Sequence, residues 1–93
     1  MINHKIREML AETAPDAIIL DAPSFDNSII GVSTCGAIVY DLDKMVEELA
    51  EEDNISLEEA RDFVDYNTLR SLGYMSHEGL MPIVVDKSLF GGN

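Results

Sequence analysis

Residues 28–40 read SIIGVSTCGAIVY, two apolar runs separated by a short polar segment that contains Gly36. The runs 28–33 and 37–40 have the length and the β-branched content of strands, and a glycine supplies the positive φ that a tight turn needs. The stretch therefore predicts an antiparallel β-hairpin. Cys35 lies in its turn and is the only cysteine of the chain, so no disulfide forms within one chain.

A helix with an acidic outer face is predicted directly after the hairpin and should extend to about Asp53. Asp41 or Asp43 can cap its N-terminus, because an aspartate side chain accepts one of the unpaired N–H groups there. Asn54 is expected to end the helix. Apolar residues recur at helical spacing and define the buried stripe: Leu42, Met45, Val46 and Leu49.

A second acidic helix is predicted from Leu57 onward, because Ser56 to Glu59 has the pattern of a capping box. In that motif the serine hydroxyl accepts the third helical N–H, and the glutamate reaches back. Asn67 marks a weak point of the helix, and Gly73 is the expected stop. The apolar side is expected to contain Leu57, Ala60, Phe63 and Val64, continued by Leu69 and Leu72.

The flanking segments supply one more helix and two short strands. Residues 2–13 carry apolar residues at spacings of three and four, which predicts a short amphipathic helix. Residues 17–20 predict a buried strand, and residues 82–85 predict an edge strand because Pro82 cannot donate to a β-ladder. Loops are expected at 21–27, with Phe25 folded inward, and at 74–81.

These elements predict an α+β fold, a small and mainly antiparallel sheet of three to four strands with the two acidic helices and the N-terminal helix packed on it. Residues 1–90 should form a single domain and residues 91–93 a flexible tail. No apolar run approaches the roughly 18 to 20 residues of a membrane helix, and the N-terminus lacks the apolar segment of a signal peptide. We therefore expect a soluble, cytoplasmic protein.

Charge is concentrated in one part of the chain. Between Asp41 and Asp65 lie eleven carboxylates but only two cations, so this stretch carries −9 of the formal net charge of −12. Such a chain repels nucleic acids and anionic membranes and attracts basic surfaces. The carboxylates expected to bind a basic partner are Asp43, Glu47, Glu48, Glu51, Glu52, Glu58, Glu59 and Asp62.

A further polar cluster at a helix break consists of Asp65, Tyr66, Asn67 and Arg70. It predicts either a recognition site or an internal network of hydrogen bonds and ion pairs. The network is favoured, because Asn and Thr side chains commonly bond to the backbone where helices end or kink.

The sequence predicts no cofactor, no metal and no enzymatic activity. Asp41, Asp43 and Glu52 stand at calcium-loop positions one, three and twelve, but the glycine that an EF-hand requires at position six is absent. A solvated helix face is therefore expected there. An enzyme would need Cys35 as a nucleophile with His77 folded beside it as a base. Nothing in the sequence around Cys35 activates the thiol, so an ordinary turn cysteine is expected.

Three motifs resemble those of a family of small acidic proteins from bacterial prophages and other mobile elements. They are YDLDKMVEEL at 40–49, SLEEA at 56–60 and DYNTLR at 65–70. The upstream segment DNSIIGV at 26–32 also resembles that family, and the resemblance extends over about residues 17–86. Residues 73–77 depart from it, since they replace a proline-containing turn. The resemblance implies a phage protein acting in a bacterial host cell, where such proteins often inhibit host factors, including nuclease-based defences.

Two functions follow as hypotheses. The first is a protein-interaction module that mimics the charge of DNA and blocks the basic groove of a nucleic-acid-binding or defence protein. The alternative is a structural or assembly protein that forms a homodimer or larger homo-oligomer, through the 82–85 edge strand or an apolar helix stripe. Self-association and binding of a second partner are compatible with each other.

Overall fold

A computed structural model describes residues 2–20, 24–72 and 80–87 of the chain. The helices are α1 (His4–Thr13), α2 (Leu42–Asp53) and α3 (Leu57–Phe63), and the strands are β1 (Ile29–Val32), β2 (Ile38–Asp41) and β3 (Ile83–Val85). A 3-10 turn (Asp26–Ser28) leads into β1, and a π-helical segment (Val64–Leu69) continues α3. The predicted α+β class is confirmed. Gly73, His77, the tail 91–93 and most of the predicted loop 74–81 lie outside the described residues.

The strands form a small mixed sheet in the order β1-β2-β3. The predicted hairpin is confirmed, because β1 and β2 pair antiparallel and Gly36 adopts a φ of 93° in the turn between them. A residue with a side chain rarely adopts that φ, which explains the glycine. β3 pairs with β2 in parallel and is an outer strand of this sheet, in agreement with the edge position predicted for 82–85.

A β-bulge interrupts β1. Ile29 opposes Tyr40 and Gly31 opposes Val39, so Ile30 is an extra residue between two paired positions. The extra residue interrupts the alternation of side chains between the two faces of the sheet. Ile29 and Val32 therefore both pack against the core, whereas Ile30 is 42% exposed.

The run 17–20 is not the buried strand that its sequence predicts. Ala17 forms a single isolated bridge with Leu80, and the N–H of Ile18 donates to the carbonyl of Leu80. The N–H of Leu20 donates instead to the buried hydroxyl of Tyr40, 3.0 Å away. The hydroxyl of Tyr40 thus accepts the hydrogen bond that a backbone carbonyl of a neighbouring strand would otherwise accept. Residues 17–20 therefore do not form a continuous β-ladder.

α2 follows its sequence pattern closely. The side chain of Asp41 caps the helix by accepting the N–H of Asp43 at 3.0 Å, and Asn54 ends it in the left-handed conformation with a φ of 54°. Phe25 is fully buried, as predicted, and lies in the same core. The whole predicted stripe is buried, namely Leu42, Met45, Val46 and Leu49.

α3 buries a narrower face than its sequence predicts. Ala60 and Val64 are fully buried, but Leu57 is 59% exposed and Phe63 is 36% exposed. The prediction is therefore wrong at these two residues. The buried positions Ala60, Val64 and Thr68 recur every four residues, and the backbone is π-helical from Val64 to Leu69. The weak point predicted at Asn67 lies inside this π-helical segment.

The carboxylate of Asp26, in the 3-10 turn, is fully buried and accepts three hydrogen bonds. Two come from Arg7, from Nε at 2.7 Å and from Nη2 at 3.1 Å, and the third comes from the N–H of Asn3 at 2.7 Å. Arg7 also donates to the carbonyl of Leu20 at 3.4 Å. This ion pair ties α1 to the segment that leads into β1, and it is strong because its geometry is bidentate.

We predict that Leu49→Ala lowers the free energy of unfolding by roughly 2 to 5 kcal/mol, because the side chain is buried and its loss leaves a cavity. Urea denaturation monitored by circular dichroism measures the change. Leu57→Ala is the matched control, since the exposed Leu57 should shift stability by no more than about 0.5 kcal/mol. Equal losses in both variants would contradict the observed packing of the two helices.

We predict that Asp26→Asn destabilises the protein by an amount approaching the ~3 to 5 kcal/mol that follows the loss of one partner of a buried ion pair. The mutation removes the charge of a fully buried carboxylate that binds the Arg7 guanidinium, which is about three quarters buried, in a bidentate ion pair. Asp16→Asn changes an exposed aspartate and serves as the control. The same denaturation experiment distinguishes them, and a loss for Asp26→Asn no larger than the control would mean that the pair is not needed for the fold.

Candidate functional site

Most of the carboxylates predicted to bind a partner are exposed on α2 and α3. The two helices pack against each other and are joined by residues 54–56 only. The serine of the predicted capping box, Ser56, accepts the N–H of Glu59 at 3.1 Å and so starts α3 immediately after the connection. We define the acidic surface as the exposed carboxylates on the two helices: Glu47, Glu51, Glu52, Asp53, Glu58, Glu59 and Asp62.

Two cations near the acidic surface are held by other carboxylates, whereas the exposed Lys44 of α2 lies near Glu47 and Glu51 without an ion pair among the described residues. Arg61 lies 3.8 Å from Asp43 and 3.7 Å from Asp86. Lys87 lies 3.1 Å from the buried carboxylate of Asp41, the cap of α2. Within the described ranges, five members of the acidic surface form no ion pair and no side-chain hydrogen bond: Glu47, Glu51, Asp53, Glu58 and Asp62. Their charges are therefore available to a partner.

Glu48 differs from its neighbours on α2, because it is only partly exposed and supports the fold. Its carboxylate accepts a hydrogen bond from the Ser28 hydroxyl at 2.6 Å and a longer one from the N–H of Asn27 at 3.4 Å. Burial raises the pKa of Glu48 above its ordinary value, and the hydrogen bond from Ser28 opposes that shift. Glu48 thus anchors α2 on the 3-10 turn.

A groove of about 370 Å³ opens between α2 and α3, and we call it the interhelical groove. Val46 is buried there, whereas Leu57 is exposed, so the groove combines an aliphatic surface with charged neighbours. It is lined by Asp43, Val46, Glu47, Leu57, Glu58 and Arg61. No sequence motif indicates this groove, because it depends on how the two helices pack.

A second groove, of about 280 Å³, lies between α1 and β1, and we call it the apolar groove. Met9 is 60% exposed there and Ile30 contributes its bulged side chain. The lining contains no charged side chain and consists of Ile6, Met9, Leu10, Thr13, Ile29, Ile30, Gly31 and Val32. The apolar groove is therefore uncharged, whereas the acidic surface is strongly negative.

The polar cluster at 65–70 lies on the π-helical segment and the residue after it. The Arg70 guanidinium stacks on the ring of Tyr66, 4.6 Å from its centroid, and Asn67 donates to the carbonyl of Phe63 at 3.3 Å. Both contacts join residues close along the helix. The predicted network paired Arg70 with a carboxylate, and no such ion pair is present among the described residues. Asp65, Tyr66, Asn67 and Arg70 are all exposed, so the cluster also remains accessible to a partner.

Cys35 is exposed in the hairpin turn, with its sulfur 3.1 Å from the Ser33 hydroxyl. Hydrogen bonds from Ser33 and from the backbone of Ala37 lower the pKa of the thiol. His77 lies outside the described residues, so the structure does not test the Cys–His pair. Residues 2–20, 24–72 and 80–87 contain no group of three or more His, Cys, Asp or Glu side chains that could hold a metal ion.

No protein-family profile, curated protein or solved structure matches the chain. The helices in the described part of the chain are all too short or too polar to cross a membrane.

We predict that the carboxyl group of Glu48 titrates with a pKa above the ordinary value of 4.5, because burial disfavours its ionised form. Ser28→Ala should raise this pKa further, since the lost hydrogen bond favours the carboxylate. The ¹³C chemical shift of the Glu48 carboxyl group, followed by NMR against pH, measures both values. Ser71→Ala is the control, because the Ser71 hydroxyl donates to the carbonyl of Thr68 instead.

The raised pKa of Glu48 also determines how stability depends on pH. A pKa that is higher in the folded than in the unfolded state means that the folded protein binds more protons between the two values. The Glu48 contribution to stability therefore falls as pH rises from the unfolded pKa through the folded one. In Glu48→Gln this contribution should be absent, and a titration midpoint at or below 4.5 in the wild type would contradict the prediction.

Proposed function

We propose that this protein is an interaction module that places its acidic surface in the basic groove of a nucleic-acid-binding or defence protein. The observation that carries the proposal is the set of exposed carboxylates on two adjoining helices. Six of them pair with no cation among the described residues: Glu47, Glu51, Asp53, Glu58, Glu59 and Asp62. Charges that the fold does not neutralise remain available to a partner.

Electrostatics determines which kind of partner this surface fits. A net charge of −12 repels nucleic acids and anionic membranes, so the complementary surface is that of a basic protein. Proteins that bind nucleic acids have such surfaces in their binding grooves. Long-range attraction mainly raises the association rate, and it weakens as salt screens the charges.

The sharpest form of the proposal is an inhibitor that mimics the charge of DNA. The motifs at 40–49, 56–60 and 65–70 resemble those of small acidic phage proteins, which supports a role against host defences in the bacterial cytoplasm. The carboxylates of α2 and α3 would then occupy the place of phosphates in a basic groove. No catalytic step is involved.

A second candidate function is self-assembly, and the apolar groove favours it. Its lining is uncharged, and the exposed Met9 and Ile30 lie in it. Two copies of so acidic a chain repel each other least where they present uncharged surfaces. A homo-oligomer formed there is compatible with the first function, because the acidic surface lies on other elements.

Affinity capture from bacterial lysate tests the first function. The immobilised protein should retain a basic nucleic-acid-binding protein, and both high salt and added duplex DNA should release it. Replacing Glu47, Glu51 and Asp62 with the corresponding amides should slow association with that partner about tenfold or more at low salt and flatten the salt dependence. Surface plasmon resonance at several salt concentrations measures the rates.

The matched control changes three exposed carboxylates away from the acidic surface, Glu8, Glu12 and Asp16, to amides. It alters the net charge by the same amount but should leave association largely unchanged. Equal effects of the two triple variants would mean that total charge, not the acidic surface, governs binding. No specific partner, together with a dimer in sedimentation analysis, would favour self-assembly instead.

A further inference from the structure

The interhelical groove exposes aliphatic surface in the middle of the acidic surface. Leu57 is 59% exposed at the start of α3, and Val46 of α2 is buried beneath the groove. An exposed leucine contributes nothing to solubility, and the sequence pattern assigns Leu57 to the core. Its position gives the groove an apolar side against which a hydrocarbon chain could pack.

The remaining lining carries more negative than positive charge. Glu47 and Glu58 form no ion pair or side-chain hydrogen bond within the described residues. The Asp43 carboxylate lies 3.8 Å from Nη1 of Arg61, and Nη2 of Arg61 lies 3.7 Å from the Asp86 carboxylate. The groove therefore offers two unpaired carboxylates and a third that is only weakly paired.

The combination selects one kind of ligand, a cationic group at the end of an aliphatic stem. A lysine side chain has this composition, because four methylene groups precede its ammonium. Arginine gains most from flat aromatic surfaces and bidentate acceptors, and the groove is lined by aliphatic side chains and by carboxylates from different helices. Charge complementarity and the aliphatic side thus both favour lysine.

We propose that the interhelical groove receives a lysine side chain of the basic partner, with the stem against Leu57 and Val46 and the ammonium near Glu47 and Glu58. This inference rests on the proposed function, since it names the group that the acidic surface recognises. It adds a specific anchor to an attraction that is otherwise long-range. Association by charge alone requires no such anchor.

An NMR titration of the full chain with Nα-acetyl-lysine methylamide tests the groove directly. The methyl signals of Leu57 and Val46 should shift and saturate. The norleucine analogue has the same stem without the ammonium, and methylammonium has the charge without a stem, so neither should reproduce the saturable shift. Equal shifts with methylammonium would show only general attraction of cations to the acidic surface and would overturn the proposal.

A pair of variants separates the aliphatic contact from the charge. Leu57→Gln keeps the net charge and changes an exposed side chain, and it should weaken lysine binding about threefold or more, as followed through the backbone amides of α2. Met9→Gln makes a comparable change at a residue that is 60% exposed but lies in the apolar groove. It should bind lysine as the wild type does, and equal affinity of both variants would exclude the Leu57 contact.

The two proposals can fail separately. If the triple amide variant slows capture of the basic partner but Leu57→Gln captures it normally, the lysine anchor is wrong and the interaction module stands. If neither variant affects capture, both proposals fall. If Leu57→Gln shortens the lifetime of the complex while the association rate stays unchanged, the groove acts as the anchor, because local contacts govern dissociation.

Discussion

The 3-10 turn around the buried carboxylate of Asp26 joins α1 and α2 to the start of β1 through a set of neighbouring hydrogen bonds. Asn3 caps α1, donates its N–H to Asp26 and bonds the neighbouring Asn27 through its side chain. The next residue of the same turn, Ser28, donates to Glu48 of α2. A chain with six cations thus uses one of them, Arg7, inside the fold. The placement of α1 and α2 depends on this polar turn as well as on apolar packing.

The hairpin and α2 were predictable because short-range signals determine them. Gly36 supplies the turn, Asp41 the cap and Asn54 the stop, and each acts on its own few residues. The buried face of α3 was not predictable, because Leu57 and Phe63 fit the apolar pattern of a helix and only the packing of α3 in the fold leaves them exposed. The run 17–20 failed as a strand for a similar reason, since its hydrogen bonding depends on the hydroxyl of Tyr40 in β2.

For the candidate site, the sequence identified the charges but not their individual roles. The concentration of carboxylates between Asp41 and Asp65 is visible in the residues themselves. Glu48 is indistinguishable in sequence from Glu47, yet it bonds to Ser28, twenty residues away. The interhelical groove brings Glu47 beside Leu57, and only the packing of α2 on α3 produces that neighbourhood. The sequence alone therefore predicts the acidic surface, whereas the role of Glu48 and the interhelical groove become visible only in the tertiary structure.

The bulge at Ile30 also affects how the protein behaves when it is concentrated. An outer strand with a regular edge can template the addition of further strands, and such stacking leads to fibrils. A bulge bends and twists the edge, so the next strand cannot pair along its whole length. The net charge of −12 gives a second protection, which high salt screens. The protection from backbone geometry remains at any ionic strength at which the hairpin stays folded.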